Sequence, residues 1–297
     1  MTATTTIDVK GLEHADKESR IFPGLESLKE GETLRIIIDF NPVPLTYLLE
    51  AQAGKYDLAF EKEGPDEWIL RVTRLPGHEA YREEAGEDVS IEHLTSSFCD
   101  LHLDAIRDSL VEKQIRMEPP HPVNTFMQEH VVILDNLRQL GELVAKLKKA
   151  GSFEAVKGDL EKMEEIAGEL VEAELHHDRE EQALFPALER HGVGEPPRVM
   201  TADHVESRRK KQELYQLARQ RGRHDFDTFK AKAIELGDFL TRELETHIFK
   251  EDNIVYQIAL QMLTPEEWDR VKRRCDEIGY CCFTPEDQSR TPAEKEA

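Results

Sequence analysis

The sequence predicts a mainly α protein: an up-down-up-down four-helix bundle preceded by a small two-layer α+β domain. Three observations carry this. From about His121 onward the apolar residues recur at the helical period for roughly 150 residues. Before Leu75 they come in short runs separated by turn signals, as in strands. Gly and Pro punctuation cuts the helical region into four long segments with short connections.

In the front region, residues 1–75, "TIDV" and "LRIIIDF" predict strands, "IFPGLESL" predicts a short helix closed by "KEGE", and "EWILRVTR" predicts a final strand. Residues 76–118 hold the polar "PGHEAYREEAGEDVSIEHL" and the amphipathic "TSSFCDLHLDAIRDSLVEKQ", which predict an acidic linker and a connecting helix with His102 on its surface. The bundle occupies residues 119–283. Its first helix starts near "HPVNTF", where His121 is expected to cap and Pro122 suits the first turn. It ends at "KKAGS", where Lys148 and Lys149 suit the negative end of the helix dipole and Gly151 stops the pattern. The second runs from near Phe153 to "ERHGVGEPP", the third from near Arg198 to "RQRGRHDF", and the fourth from near Asp227 through "LQML". A shorter helix follows in "TPEEWDRVKRRCDEIG", with Thr264 as N-cap and Pro265 at its first position. Residues 284–297 are expected to form a disordered tail.

The 297-residue chain carries 39 Lys+Arg against 61 Asp+Glu, a formal net charge of −22. That balance argues against a nucleic-acid or anionic-membrane partner and favours a cationic one. No run approaches the ~18 apolar residues of a membrane span, and "MTATTTIDVK" lacks the basic and apolar parts of a signal peptide, so a cytoplasmic protein is expected. Cys99, Cys275, Cys281 and Cys282 form no C-x-x-C and are expected to be reduced, structural thiols.

Two of the four helices repeat His-x-x-x-Glu in apolar surroundings. In the fourth, Leu240, Leu244, His247, Glu251, Ile254 and Ile258 follow at spacings of three and four, so His247 and Glu251 point into the bundle. A buried ionised carboxylate is unfavourable unless paired or bound to metal, and no Lys or Arg holds a core position on that face. In the second helix, Met163, Ile166, Leu170 and Ala173 lead to His176, His177, Glu180, Glu181 and Leu184. At about 100° per residue, His177 and Glu181 lie nearer the centre of the apolar arc and His176 and Glu180 at its edge, so spacing leaves the choice of pair open. The first helix offers His130 and the third His204. Measured from the connecting turns, His130 against His176 and His204 against His247 are each offset by about 7 Å in the same sense, which brings one His per helix to roughly one level.

Four imidazoles and two carboxylates at one level suit a pair of transition-metal ions, with shared oxygens and open positions for O2, NO, peroxide or water. A lone zinc needs only four ligands. The expected cofactor is two non-haem iron ions, with manganese as second choice, and the expected ligand is a small diatomic or peroxide.

"HHDREEQALFPALERHG" and "HIFKEDNIVYQIAL", together with the single histidines of "MQEHVVIL" and "TADHVESR", resemble the hemerythrin-like, HHE cation-binding family over about residues 118–282. They are most similar to its bacterial branch that includes proteins repairing iron centres after nitrosative and oxidative stress, and to related hemerythrin-like proteins of uncertain function. In the repair branch the segment before "LFP" also reads Glu-Glu-Gln, and by that resemblance the second-helix ligands are His176 and Glu180. The resemblance thus implies a metal site of His130, His176, Glu180, His204, His247 and Glu251. It implies a protein that binds, senses or reduces O2, NO or peroxide, or donates iron in repair, with oxidoreductase and repair activities both open. Oxygen-carrying hemerythrins have a second His on the third helix where this chain has Arg208, and His-x4-Asp on the last helix, where "HIFKED" offers Glu251 at four and Asp252 at five. Glu251 fits the inward face and the repair branch. The resulting site is more open than the carrier's, which turns the expectation away from simple reversible O2 transport.

Residues 6–74 resemble an uncharacterised family related to bacterial sulfur-carrier proteins. The carriers place a reactive Cys shortly after the first strand, where "GLEHA" has His14, so persulfide transfer through that residue is excluded. Many members of the uncharacterised family read His-Asp-Pro where this chain reads Phe40–Asn41–Pro42. A binding or regulatory module that docks a protein partner is expected. The contrasting expectation for the whole chain is a non-catalytic interaction protein whose bundle holds a structural metal.

Overall fold

The computed structural model describes residues 3–76, apart from 51, 53, 54 and 65, and residues 110–285. Residues 77–109 of the expected linker and connecting helix, with Cys99 and His102, and most of the expected tail lie outside the described residues, whereas residues 110–113, at the end of the expected helix, are helical. The described residues fall into two compact units, one built from the N-terminal part up to Gln114 with His191–Val193, the other from Ile115–Arg190 and from Gly194 onward.

The first unit runs β1 (Thr4–Asp8), α1 (His14–Glu26), β2 (Thr33–Ile38), α2 (Val43–Glu50), β3 (Tyr56–Lys62), β4 (Trp68–Arg74). The sheet order is β1-β2-β4-β3, with β1 parallel to β2 and the other pairs antiparallel; Ile36 stands opposite both Ile7 and Leu70. Alternation along β2 buries Leu34, Ile36 and Ile38, which join Leu70 and Val72 of β4 in a core with Ile21 and Leu25 of α1 and Leu45 and Leu49 of α2. The expected two-layer α+β domain is therefore present. The sequence reading lacked α2 and β3. "VPLTYLLE" carries Pro44 near its start, which reads as loop although proline is tolerated in a helix's first turn. β3 is an edge strand that buries only Tyr56, although Tyr56, Leu58 and Phe60 alternate with Asp57, Ala59 and Glu61 along it. α1 also starts earlier than "IFPGLESL", because its first turns are polar and largely exposed.

The second unit runs α3 (Pro122–Lys149), a 3-10 turn (Glu154–Val156), α4 (Lys157–Glu172), α5 (Glu174–Arg179), a π-turn (Glu180–Leu184), α6 (Phe185–Arg190), α7 (Glu195–Arg219), α8 (Phe226–Lys250), a second π-turn (Glu251–Val255), α9 (Tyr256–Met262) and α10 (Pro265–Ile278). The second bundle helix is thus α4 to α6 and the fourth α8 to α9. α3 packs on α4 and α8, and α7 on α4 and α8, which closes a ring of four. The third helix begins before Arg198: Pro196 and Pro197 sit in its first turn, where a missing N–H leaves nothing unsatisfied, so "GVGEPP" ends one helix and starts the next. His121 caps α3 by accepting the Val123 N–H at Nδ1 (3.2 Å), Asp225 caps α8 from the Thr228 N–H, and Thr264 with Glu267 forms a capping box on α10.

Apolar side chains fill the bundle from the connecting-loop end, with Leu147, Val156 and Phe229, up to Ile133, Leu170 and Leu244. Beyond these, buried polar residues take over. The described cysteines Cys275, Cys281 and Cys282 are free thiols, and burial pushes Cys275 and Cys281 up to about 12. Among the described residues no helix is long and apolar enough to cross a membrane.

Candidate metal centre

The polar layer contains all six residues singled out by the sequence. His130 lies on α3, His176 on α5, His204 on α7 and His247 on α8, while Glu180 and Glu251 each open a π-turn. None is more than 3 % exposed. Both His-x-x-x-Glu words share one backbone device: the carboxylate is the first residue of a π-turn, and the Phe185 and Tyr256 N–H groups reach back five residues to the carbonyls of Glu180 and Glu251.

The imidazoles are arranged in two facing pairs. Nε2 of His130 is 3.0 Å from Nε2 of His176, and Nε2 of His204 is 3.0 Å from Nε2 of His247. The opposite nitrogen of each ring meets a carboxylate: His130 Nδ1 lies 2.7 Å from Asp252, His176 Nδ1 2.7 Å from Glu129, His204 Nδ1 2.8 Å from Glu181 and His247 Nδ1 3.3 Å from Asp203. An ionised carboxylate can only accept, so each Nδ1 donates, and wherever the ring is neutral its Nε2 presents a lone pair. Two lone pairs facing at 3.0 Å repel unless a proton or metal cation lies between them.

Glu180 and Glu251 span the two pairs. Glu251 sets one oxygen 2.8 Å from His247 Nε2 and 3.3 Å from His204 Nε2, and the other 3.3 Å from His130 Nε2. Glu180 Oε2 lies 3.5 Å from both His176 Nε2 and His204 Nε2, while its Oε1 accepts from the Tyr256 hydroxyl at 2.6 Å. Glu180 Oε2 and Glu251 Oε2 are buried and have no hydrogen-bond partner among the described residues, an arrangement that is unfavourable unless a cation satisfies it. Three groups are close enough to hold an ion: His130–His176–Glu251, Glu180–His204–Glu251 and His177–His204–His247. Facing lone pairs, orphaned carboxylate oxygens and a mixed nitrogen and oxygen donor set together fit a pair of bound metal ions.

Among the protein groups alone, burial pushes His130 down, but Asp252 and Glu251 outweigh it and hold the ring well above its ordinary value. His176 goes the other way, held by burial at about 4 in spite of Glu129. Burial and then the charge of Glu251 push Glu180 well up. Glu251, although equally buried, is held well below the carboxylate range by His247, His130 and His204. Cations at this position would relieve the repulsion between the two carboxylates.

Both members of the doubled histidine are buried. His176 faces His130, whereas His177 stacks on His204, with centroids 4.0 Å apart at 15°, and its Nδ1 has no hydrogen-bond partner among the described residues. Glu180 lies between the pairs, and Glu181 turns outward to His204 Nδ1 and Arg208. The uniform count of 100° per residue fails here because the helix is not uniform. At Ala173 the His176 N–H reaches back only three residues, and the π-turn then takes up one more residue than an α turn.

Of the carboxylates behind the imidazoles, the sequence reading named Glu181 and Asp252 only as alternatives to Glu180 and Glu251, and Glu129 and Asp203 escaped it. Glu129 is wholly buried and also receives Nη2 of Arg179, at 2.7 and 2.6 Å, and the Thr284 hydroxyl. Asp203 is steadied by Lys250 at 3.0 Å, and Arg208 ties Glu181 to Glu174. Glu129 and Asp203 each directly precede a candidate His, and Asp252 directly follows Glu251. That adjacency was the available signal, since a neighbour on a helix is turned about 100° and can grip a ring on another helix.

Residues 121–259 match the family model of the hemerythrin HHE cation binding domain, and residues 6–74 match that of an uncharacterized conserved protein family, DUF2249. No curated protein matches the sequence. The matched 121–259 span runs from the cap of α3 into α9 and contains all six residues of the two facing pairs and their bridging carboxylates. The chain carries a hemerythrin HHE cation-binding domain at residues 121–259 behind an N-terminal DUF2249 domain at residues 6–74.

Proposed function

We propose that the HHE domain houses a di-iron centre, held by His130, His176, His204 and His247 and bridged by Glu180 and Glu251, which binds, senses or reduces O2, NO or peroxide. The observation that carries this reading is the double pairing of Nε2 atoms at 3.0 Å with every Nδ1 committed to a carboxylate. Carboxylates behind ligating imidazoles fix their tautomer and raise their basicity. Manganese suits the same donors less well, because four imidazoles favour iron.

Two irons would supply Lewis-acid and redox chemistry toward a small oxygen or nitrogen ligand. The chain's own contribution is positioning. The Tyr256 hydroxyl holds Glu180 Oε1 and so turns Oε2 toward His176 and His204. Ile133, Leu170, Leu244 and Ile248 give the inner side an apolar wall. On this reading the chain works in the cytoplasm, and residues 6–74 dock a protein partner.

Metal analysis of protein purified without oxygen, with optical spectra before and after oxidation, is the test. The expected result is two irons per chain and a near-ultraviolet and visible absorption that changes with NO. Less than half an iron per chain would sink the reading.

A further inference from the structure

A cavity of about 10 Å³ borders the paired imidazoles, close to the space one water needs. Ile133, Leu170, Leu244 and Ile248 make its apolar wall, and His130, His176, His247 and Glu251 face it from the proposed metal centre. Two more polar residues line it, His177 and Lys211, and neither is one of the six proposed ligands, although His177 stands close enough to His204 and His247 to share an ion with them.

Lys211 is the unexpected one. It lies on α7, seven residues after His204 and therefore on the same face, and is only 2 % exposed. A lysine this deeply buried is unusual unless paired. Its ammonium meets Glu174 Oε1 at 2.6 Å, a carboxylate that Arg208 also holds, so Lys211 is not its sole counter-ion. One partner among the described residues leaves ammonium donors over, and beside them stands His177, whose Nδ1 lies 3.6 Å from Glu174 Oε2 and makes no hydrogen bond among the described residues. A void of one-water size thus has an apolar wall, a metal-facing wall and a cationic, hydrogen-bonding corner.

We propose that Lys211, with His177 beside it, sets the ligand preference of the centre: the cavity admits a ligand of one or two heavy atoms beyond the metal and favours a monoanion over a neutral diatomic. Apolar walls weaken screening, so a fixed ammonium acts strongly on an anion and weakly on NO. The inference rests on the metal reading and assigns within it the role of one residue that is not a ligand.

The test compares iron-loaded full-length wild type with Lys211→Met, reading iron content, fluoride affinity of the oxidised protein and NO affinity of the reduced protein by absorption. The variant is expected to keep two irons and to bind NO within threefold of wild type, while its fluoride Kd rises at least tenfold. Glu174 keeps Arg208 as partner in the variant, which favours folding; if circular dichroism shows K211M unfolded, Lys211→Gln is judged by the same thresholds. Unchanged fluoride affinity, equal weakening of fluoride and NO, or loss of iron from the variant overturns the inference and leaves the metal reading standing. A wild-type chain that takes up no iron overturns both.

Discussion

His130 lies between consecutive carboxylates: its Nδ1 bonds to Asp252 at 2.7 Å, and its Nε2 faces Glu251 Oε2 at 3.3 Å. The residue four after His247 therefore faces the centre, and the residue five after it orients a ring from outside. The two acids should respond differently to substitution. Asp252→Ala is expected to weaken metal affinity 10- to 100-fold, the usual range for losing a carboxylate behind an imidazole, with full loading regained at high metal. Glu251→Gln should hold at most one ion per chain. Chelator competition and metal analysis distinguish the two, and equal behaviour would refute the division of roles.

Arg179 is fully buried, and Glu129 is its charge partner as well as the acceptor for His176. Glu129→Gln leaves that guanidinium without a counter-charge, and a loss of about 3–5 kcal/mol is expected in urea unfolding. Against the pull of burial, His176 and Arg179 lower the Glu129 carboxyl from 4.5 to about 2. Its stabilisation is therefore complete above pH 4.5 and is lost as pH falls from 4.5 toward 2. The variant should lack that limb of the pH profile.

His121 behaves in the opposite ionic sense. Burial lowers it from 6.5 to about 4, and its Nδ1 must stay unprotonated to accept the Val123 N–H. Because the unfolded chain binds the proton first, this contribution is complete above pH 6.5 and is lost as pH falls from 6.5 toward 4. His121→Asn keeps a capping acceptor and removes the titration. Its Tm should change less across that window than the wild-type Tm. The neighbouring Trp268, with its ring centroid 4.5 Å from His121, provides a fluorescence signal for unfolding.

Gly237 lets α8 approach α3: a Cβ there would overlap Cγ2 of Val144, which is buried. Valine is stiff at χ1 and cannot swing aside cheaply. Gly237→Ala should gain about 1 kcal/mol in helix propensity and lose about 1–3 kcal/mol to overpacking. A net loss near 1 kcal/mol is expected in chemical denaturation. The double variant with Val144→Ala should lose at least 0.5 kcal/mol less than the sum of the singles, a typical coupling for residues in contact; simple additivity would show that the two do not touch.

Much of the bundle is legible in the text because its determinants are local. The cap at Thr264, the first-turn Pro122 and the period through Leu240, Leu244 and His247 are set within one or two turns. Convergence of the histidines followed from helix rise and loop length. Three things were hidden. The choice within "HHDREE" depends on a break at Ala173 and a π-turn at Glu180, which composition does not announce. The carboxylates behind the rings act across helices, so sequence spacing does not list them as neighbours. α2 was missed because proline in a first turn reads as loop, and β3 was passed over although Tyr56, Leu58 and Phe60 alternate along it.

The two π-turns also bear on how the chain tolerates length changes. Removing one residue from Glu180–Leu184 or Glu251–Val255 would let the segment relax to an ordinary helical turn with its hydrogen bonds intact. Everything beyond would then rotate by about 100°, carrying Phe185 and Leu188, or Tyr256 and Ile258, away from the positions where they are now buried. The extra residue is thus a spacer between a carboxylate turned to the centre and the apolar stripe that resumes after it. Single-residue deletions, which most helix surfaces absorb by a shift of register, would here separate a foldable helix from a bridging acid.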